Sequence, residues 1–130
     1  NETNCSVDQD GLYYLQVDTG ARTYSTTLMS LGLIGDATPG GWDSDTDLVY
    51  DATNNVLSVD INLTNGGEYK IRANNDWVIG FPGQFGPDSD GDGFLDTKDN
   101  SFTHEGATGR YRVTLDVFTA RKYTLKVTAL

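Results

Sequence analysis

The sequence predicts an all-β protein, an antiparallel sandwich of two sheets. Three observations lead there. Apolar and polar residues alternate at period two along much of the chain, while almost nothing repeats at helical spacing. The alternating stretches are short and bounded by Gly, Asn and Asp, residues that turn a chain readily. Eight such stretches fall within 130 residues, a single-domain length that can bury a core without disulfides.

The expected strands run from 12 to 18, 23 to 28, 31 to 35, 47 to 51, 56 to 63, 67 to 74, 110 to 118 and 121 to 128. The first two, in GLYYLQVD and ARTYS, form a β-hairpin, and GRYRVTLD with ARKYT forms another of matching sequence near the other end. Either the same kind of strand pair recurs because hairpins look alike, or the first copy closes an upstream module of a tandem array. Both readings divide the chain into an N-terminal segment and hairpin, residues 1–27, and a complete unit, residues 28–130. In the strand from 56 to 63, Leu57, Val59, Ile61 and Leu63 share one face. Tyr69 and Ile71 share a face in the next, and Tyr111, Val113, Leu115 and Val117 do so in the seventh. Asn65-Gly66-Gly67 between the fifth and sixth strands is a hairpin signal, because these residues accept the positive φ of a tight turn, and Asn54-Asn55 is a weaker one. Strands of this length with such turns give an immunoglobulin-like, two-sheet sandwich.

Nine Lys and Arg against nineteen Asp and Glu give a net charge of −10, which argues against nucleic acid and anionic lipid, both of which require a cationic face. Cations and neutral ligands fit. No apolar run is long enough to cross a bilayer, and no charged-then-apolar signal opens the chain, so it reads as a mature piece of a longer one, without membrane insertion of its own. The single cysteine, Cys5, has no internal partner, and no apolar lipobox precedes it.

DSDGDGFLDTKDN, residues 88–100, carries a calcium-loop pattern. Calcium takes six to eight oxygens, and a twelve-residue loop supplies them from positions 1, 3, 5, 7, 9 and 12, with glycine at 6. Asp88, Asp90 and Asp92 fill the first three, Gly93 is the glycine, Phe94 offers its carbonyl, Asp96 acts through water, and Asp99 closes the set where Glu is usual. In that last respect the loop resembles thrombospondin type 3 and dockerin loops. Carboxylates packed this closely repel unless a cation sits among them. The flanks, GFPGQFGP and NSFTHEG, admit no helix to swing open, so the expected Ca²⁺ is a structural staple and not a sensor's ligand. A second acidic run, DSDTD at 43–47, has Leu48 where the glycine belongs and Asn54 where the closing carboxylate belongs; it reads as a polar loop.

Two tryptophans occupy polar surroundings, Trp42 in IGDATPGGWD and Trp77 in ANNDWVIGF. Each ring either plugs its own loop or presents an apolar, π-rich face that suits the axial C–H bonds of a pyranose. In EYKIRAN, alternation turns Tyr69, Ile71 and Ala73 inward and Lys70, Arg72 and Asn74 outward, on the face leading to Trp77. Arg72 offers five fixed donors that can bridge adjacent hydroxyls; the alternative is an ordinary solvated strand face.

Taken in order, LGLIGDATPGGWD, GGEYKIRANNDWVIGF, DGFLDTKDN and GRYRVTLDVFTARKYTLKV resemble the carbohydrate-binding repeat of SusE/SusF-type starch-utilisation outer-membrane lipoproteins of Bacteroidetes, over residues 28–130. The resemblance implies a non-catalytic β-sandwich that holds α-glucan at the cell surface, as part of an anchored chain beside neighbouring modules and a glycan-uptake complex. It assigns binding to Trp42, Arg72 and Trp77, assisted by Lys70 or Asn74. Where the family has a short Gly-rich loop after the second tryptophan, this chain inserts PGQFGPDSDGDG, so the calcium loop stands beside the glycan platform and leaves open which glucan it serves.

The competing expectation is a calcium-stiffened spacer or adhesive repeat. An enzyme is the third class and the weakest. His104 is a lone histidine in a polar loop, expected to be solvated, and Glu105 beside it points away on an extended chain.

Overall fold

The computed structural model describes residues 9–76, 84–96, 100–119 and 122–130. Among them there is no helix, and every strand pair is antiparallel. The strands are β1 (Leu12–Asp18), β2 (Thr23–Met29), β3 (Leu31–Gly35), β4 (Gly41–Asp47), β5 (Val49–Asp51), β6 (Val56–Leu63), β7 (Glu68–Ala73), β8 (Gln84–Phe85), β9 (Phe102–Thr103), β10 (Gly109–Asp116) and β11 (Thr124–Ala129). One sheet runs β4-β3-β7-β8, with β9 also on β7, and the other runs β5-β6-β10-β11. The β1-β2 hairpin is a third, two-stranded sheet. The protein is therefore an all-β antiparallel sandwich, as its alternation predicts.

The alternating faces meet between the two large sheets. Leu33, Ile71 and Phe85 from one sheet and Leu57, Ile61, Leu63, Val113 and Leu115 from the other are all buried in one cluster. Val59, Tyr111 and Val117 pack against it from their expected faces. Burial of such side chains is the main favourable term of the fold, roughly 1.5–3 kcal/mol each before entropy is counted.

Three expectations about connections need correcting. Asn65-Gly66-Gly67 does not close a hairpin: β6 pairs with β5 and β10, while β7 pairs with β3, so this turn carries the chain from one sheet to the other. The arch is fixed by backbone bonds, Thr64 N–H to the Ala37 carbonyl (2.9 Å) and Gly66 N–H to the His104 carbonyl (2.8 Å). Positive φ serves any tight reversal, and Gly66 has φ 78°, so the turn residues by themselves do not choose between hairpin and arch. The expected strand from 47 to 51 breaks at buried Leu48, whose N–H bonds the Leu31 carbonyl at 2.7 Å; the chain changes sheets there, between β4 and β5. The acidic run 43–47, expected as a polar loop, lies within β4. The weaker Asn54-Asn55 signal does mark a hairpin, with Asp51 opposite Val56 and Asn55 at φ 53°.

Candidate functional site

The site is built on β4, an edge strand held against β3. Gly32 opposes Asp47 and Leu33 opposes Thr46, but the next pair is Gly35 with Gly41, so β4 has several more residues in this interval than β3. The excess is thrown into a bulge, and bulges re-aim side chains away from the ladder. The Gly40 carbonyl accepts the N–H groups of Asp43 and Ser44, both at 3.3 Å, which coils the bulge upon itself. Trp42 sits on it, 44% exposed. It belongs to a strand rather than to the Pro-Gly-Gly loop that its sequence implies.

Arg72 is on the outward side of β7, as alternation requires, but it is not open to water. Its side chain is 10% exposed and that of Asp45 is 2% exposed. Arg72 Nε lies 2.9 Å from both carboxylate oxygens of Asp45, and Nη2 donates to Oδ1 at 2.5 Å. The two residues are on β7 and β4, with β3 between them, and the residue of β3 opposite Arg72 is Gly32. A Cβ on Gly32 would stand 3.1 Å from the Asp45 Cβ and 3.1 Å from Asp47 Oδ1. A bare strand position is thus what lets the guanidinium reach across β3. The Asp45 bond raises the Arg72 pKa, against the opposing effect of burial and with further help from the charges of Asp45 and Asp76. A paired, dehydrated guanidinium braces the sheet and has little surface left for a ligand.

The other expected carbohydrate contacts divide. Asn74 is tied to the protein: its Oδ1 accepts the Ser30 N–H at 2.6 Å and its Nδ2 donates to the Leu28 carbonyl at 3.2 Å. Asn74 and Asn75, at φ 54° and 55°, turn the chain so that Asp76 bridges back to Ala73. Lys70 is half-buried, opposite Ile34. Trp77 lies outside the described residues.

The aspartate loop is closed at its base by the Gly86–Asp96 bridge, with N–H to carbonyl bonds of 2.8 and 3.2 Å. Inside it, Asp88 accepts the N–H groups of Gly91 (2.7 Å), Gly93 (2.8 Å) and Asp90 (3.2 Å), while Asp92 Oδ1 accepts that of Phe94 at 2.8 Å. Gly91 and Gly93 stand at φ 80° and 88°, which is the service the pattern asks of its glycine at the sixth position. One carboxylate oxygen from each of Asp88, Asp90 and Asp96 lies within 4.8 Å of the others. Oxygens bound to one calcium at about 2.4 Å are at most ~4.8 Å apart, so three of the expected ligands have a spacing that a single cation can span. Asp96 also accepts the N–H (3.0 Å) and hydroxyl of Ser89. Asp92 is outside this trio, and Asp99 lies outside the described residues. The Gly93 and Gly91 N–H bonds hold the Asp88 pKa down. Asp90 goes the other way: its bond from Asp92 N–H lowers it, but partial dehydration and the charges of Asp92 and Asp96 outweigh that and raise it.

His104, expected to be solvated, is 5% exposed. Its ring meets Tyr111 edge-on at 4.5 Å, its Nε2 lies 3.2 Å from the Ala107 carbonyl, and the Tyr111 hydroxyl donates to that same carbonyl at 2.7 Å. It packs beneath the inter-sheet arch, in a structural position. Sequence reasoning missed Asp45 and Gly32 as partners of Arg72. The available signal was a glycine inside an apolar strand, paired with an acidic run of strand-like alternation.

Comparisons of the chain with protein-family models, curated proteins and solved structures gave no match.

Proposed function

We propose that this chain is a non-catalytic carbohydrate-binding module that stacks a glucose unit of an α-glucan on Trp42, with a structural Ca²⁺ held by Asp88, Asp90 and Asp96. The observation that carries the reading is the placement of Trp42: a large aromatic, 44% exposed, carried on a bulge of an edge strand. The exposed part of an indole offers an apolar, π-rich surface, and a sugar's C–H patch is a partner suited to it. Asp43 and Ser44, exposed on the same bulge, supply acceptors for hydroxyls of the stacked ring. In this reading Arg72 is a positioning residue. Its bond to Asp45 fixes β4, and with it the bulge, instead of touching sugar. Trp77, which the resemblance pairs with Trp42, supplies a second ring. The resemblance also supports a setting at the outer face of the bacterial outer membrane, as one module of an anchored chain. The tethering of Arg72 and Asn74 to protein partners favours a second reading, the calcium-stiffened spacer.

Affinity electrophoresis through gels containing soluble polysaccharides, with and without EDTA, separates the two. Trp42→Ala should weaken retardation by an α-glucan about tenfold, the order expected when an aromatic contact of about 1.5 kcal/mol is lost. Mobility of the unmutated protein that no polysaccharide changes would leave the spacer reading in place.

A further inference from the structure

The β1-β2 hairpin shows an apolar face to water. Across its ladder Tyr13 opposes Leu28 and Val17 opposes Tyr24, so these four side chains share a face with Leu15. Leu15 is 52% exposed, Val17 61%, Tyr24 44% and Leu28 41%. The face recurs within the chain. GLYYLQVD followed by ARTYS matches GRYRVTLD followed by ARKYT, which sets Tyr13, Leu15 and Val17 against Tyr111, Val113 and Leu115, and Tyr24 and Leu28 against Tyr123 and Val127. Val113, Leu115 and Tyr123 are buried in the core, with Tyr111 packed against it, while Val127 at the sheet edge is 36% exposed. Val17 opposes Tyr24 whereas Leu115 opposes Leu125, two residues past Tyr123; an even shift keeps every side chain on its own face. The exposed face of the first hairpin is therefore the counterpart of the core face of the second.

The opposite faces differ in an instructive way. On β10 they carry Arg110 and Arg112, with Arg112 bonded to Asp60 at the surface. The counterparts on β1 are Leu12 and Tyr14, which pack against this module's core and line a cavity of about 130 Å³ with Met29, Phe85 and Tyr123; half-buried Tyr13 also borders it. The second side of the first hairpin is therefore covered only at its base, by Leu12, Tyr14 and Met29, and is polar and exposed beyond it at Gln16, Asp18, Thr23, Ser25 and Thr27. The hairpin's charges also differ from the rest of the chain. Residues 11–29 contain only Asp18 and Arg22, so the whole excess of ten negative charges lies elsewhere, and no net charge opposes the approach of another acidic module to this face.

We propose that the Tyr13, Leu15, Val17, Tyr24 and Leu28 face closes a second sandwich, formed by a copy of this module that precedes it on the same polypeptide. The occupant is that copy's counterpart of the β3-β7 sheet, whose inner face covers β10-β11 in the present module. The hairpin then serves as a layer shared by two modules, which fixes their orientation more firmly than a flexible linker would.

The test compares residues 1–130 with the longer natural polypeptide that includes the residues before Asn1. Hydrogen exchange at residues 13–17 and 24–28 should be at least tenfold slower in the longer chain. Leu15→Asp should leave the melting of the present sandwich unchanged in the short chain and lower that of the preceding module in the long one. Equal exchange in both chains would overturn the proposal. So would a coding sequence without a stretch as long as residues 30–108 ahead of Asn1, or concentration-dependent dimerisation of the short chain that protects the same residues.

Discussion

Replacing Arg72 by methionine tests whether the guanidinium is a strut or a ligand contact. Methionine keeps much of the aliphatic stem and removes the charge, leaving the Asp45 carboxylate, 2% exposed, with neither its partner nor bulk water. Removing one member of a buried pair costs about 3–5 kcal/mol, because the remaining charge stays dehydrated. For a domain of this size each kcal/mol shifts Tm by about 3–6 °C, so the variant should melt about 10–30 °C lower. The partner variant, Asp45→Leu, should lose a similar amount. The double variant, Arg72→Met with Asp45→Leu, should return to within about 1 kcal/mol of the parent or exceed it, since an apolar pair of matched volume needs no dehydrated charge. Gly32→Ala supplies an independent perturbation of the same bridge, since the new methyl must push aside the Asp45 Cβ and Asp47 Oδ1, each only 3.1 Å away. Thermal melts by circular dichroism at neutral pH read all four. An Arg72→Met protein that melts with the parent but no longer binds glucan would refute the strut and return Arg72 to the sugar; so would a double variant whose loss equals the sum of the single losses.

Two further outcomes follow from titratable groups. Burial pushes the Tyr69 hydroxyl up to about 12, so between pH 10 and 12 the folded protein keeps a proton that the unfolded chain has lost, and stability must fall by about 1.4 kcal/mol per pH unit. Denaturant titrations at pH 9, 10 and 11 should show the decline, and Tyr69→Phe should remove that part of it. The Asp60 carboxyl is held down chiefly by its bond from Arg112, so its contribution is present above the ordinary carboxylate range and lost as pH falls through the lowered value. That pair is exposed and screened, and Arg112→Met should shift Tm far less than Arg72→Met, with the shift vanishing in 1 M salt.

The strands that were legible in the sequence are those whose burial imposes a period. Leu57, Ile61 and Leu63, or Val113 and Leu115, must point one way because the opposite sheet covers them. β4 has no such mark. GWDSDTD is turn-forming by composition, and it is a strand because β3 lies alongside it and Arg72 reaches Asp45. Alternation placed Arg72 on the outer face correctly, but an outer face is not always a wet one: Ile34, on the side of β3 opposite to Leu33, is also fully buried. In the aspartate loop the glycine requirement was legible from spacing, since only a residue tolerant of φ near 88° serves at position 93. Which carboxylates converge was less so, because Asp92 bonds the Phe94 N–H and stands apart from the trio of Asp88, Asp90 and Asp96. His104 looked solvated because a single polar loop carries no record of the Tyr111 ring that packs on it from β10.

The way the aspartate loop is mounted decides how far a bound cation can be felt. Its base is the Gly86–Asp96 bridge; from there Phe85 enters the core and meets Tyr123 edge-on at 5.3 Å, and the Leu95 N–H bonds the Tyr123 carbonyl at 2.8 Å. The loop thus touches both sheets, and ordering it should stabilise the sandwich as a whole. With affinity of about 0.1–1 mM, the usual range of extracellular calcium modules, 10 mM Ca²⁺ should add about 1.4–2.7 kcal/mol. Trp42, by contrast, is linked to the loop among the described strands by the ladder from β8 across β7 and β3 to β4, where the Arg72–Asp45 bond holds the last step. EDTA should therefore lower Tm, speed hydrogen exchange from Gly86 to Asp96 and at Tyr123, and leave exchange in β4 and the affinity for glucan unchanged; Asp90→Asn should reproduce the EDTA phenotype in excess calcium. A fall in glucan affinity matching the fall in Tm would mean that the ion shapes the sugar groove itself, and an unchanged Tm on adding Ca²⁺ would remove the ion from the account.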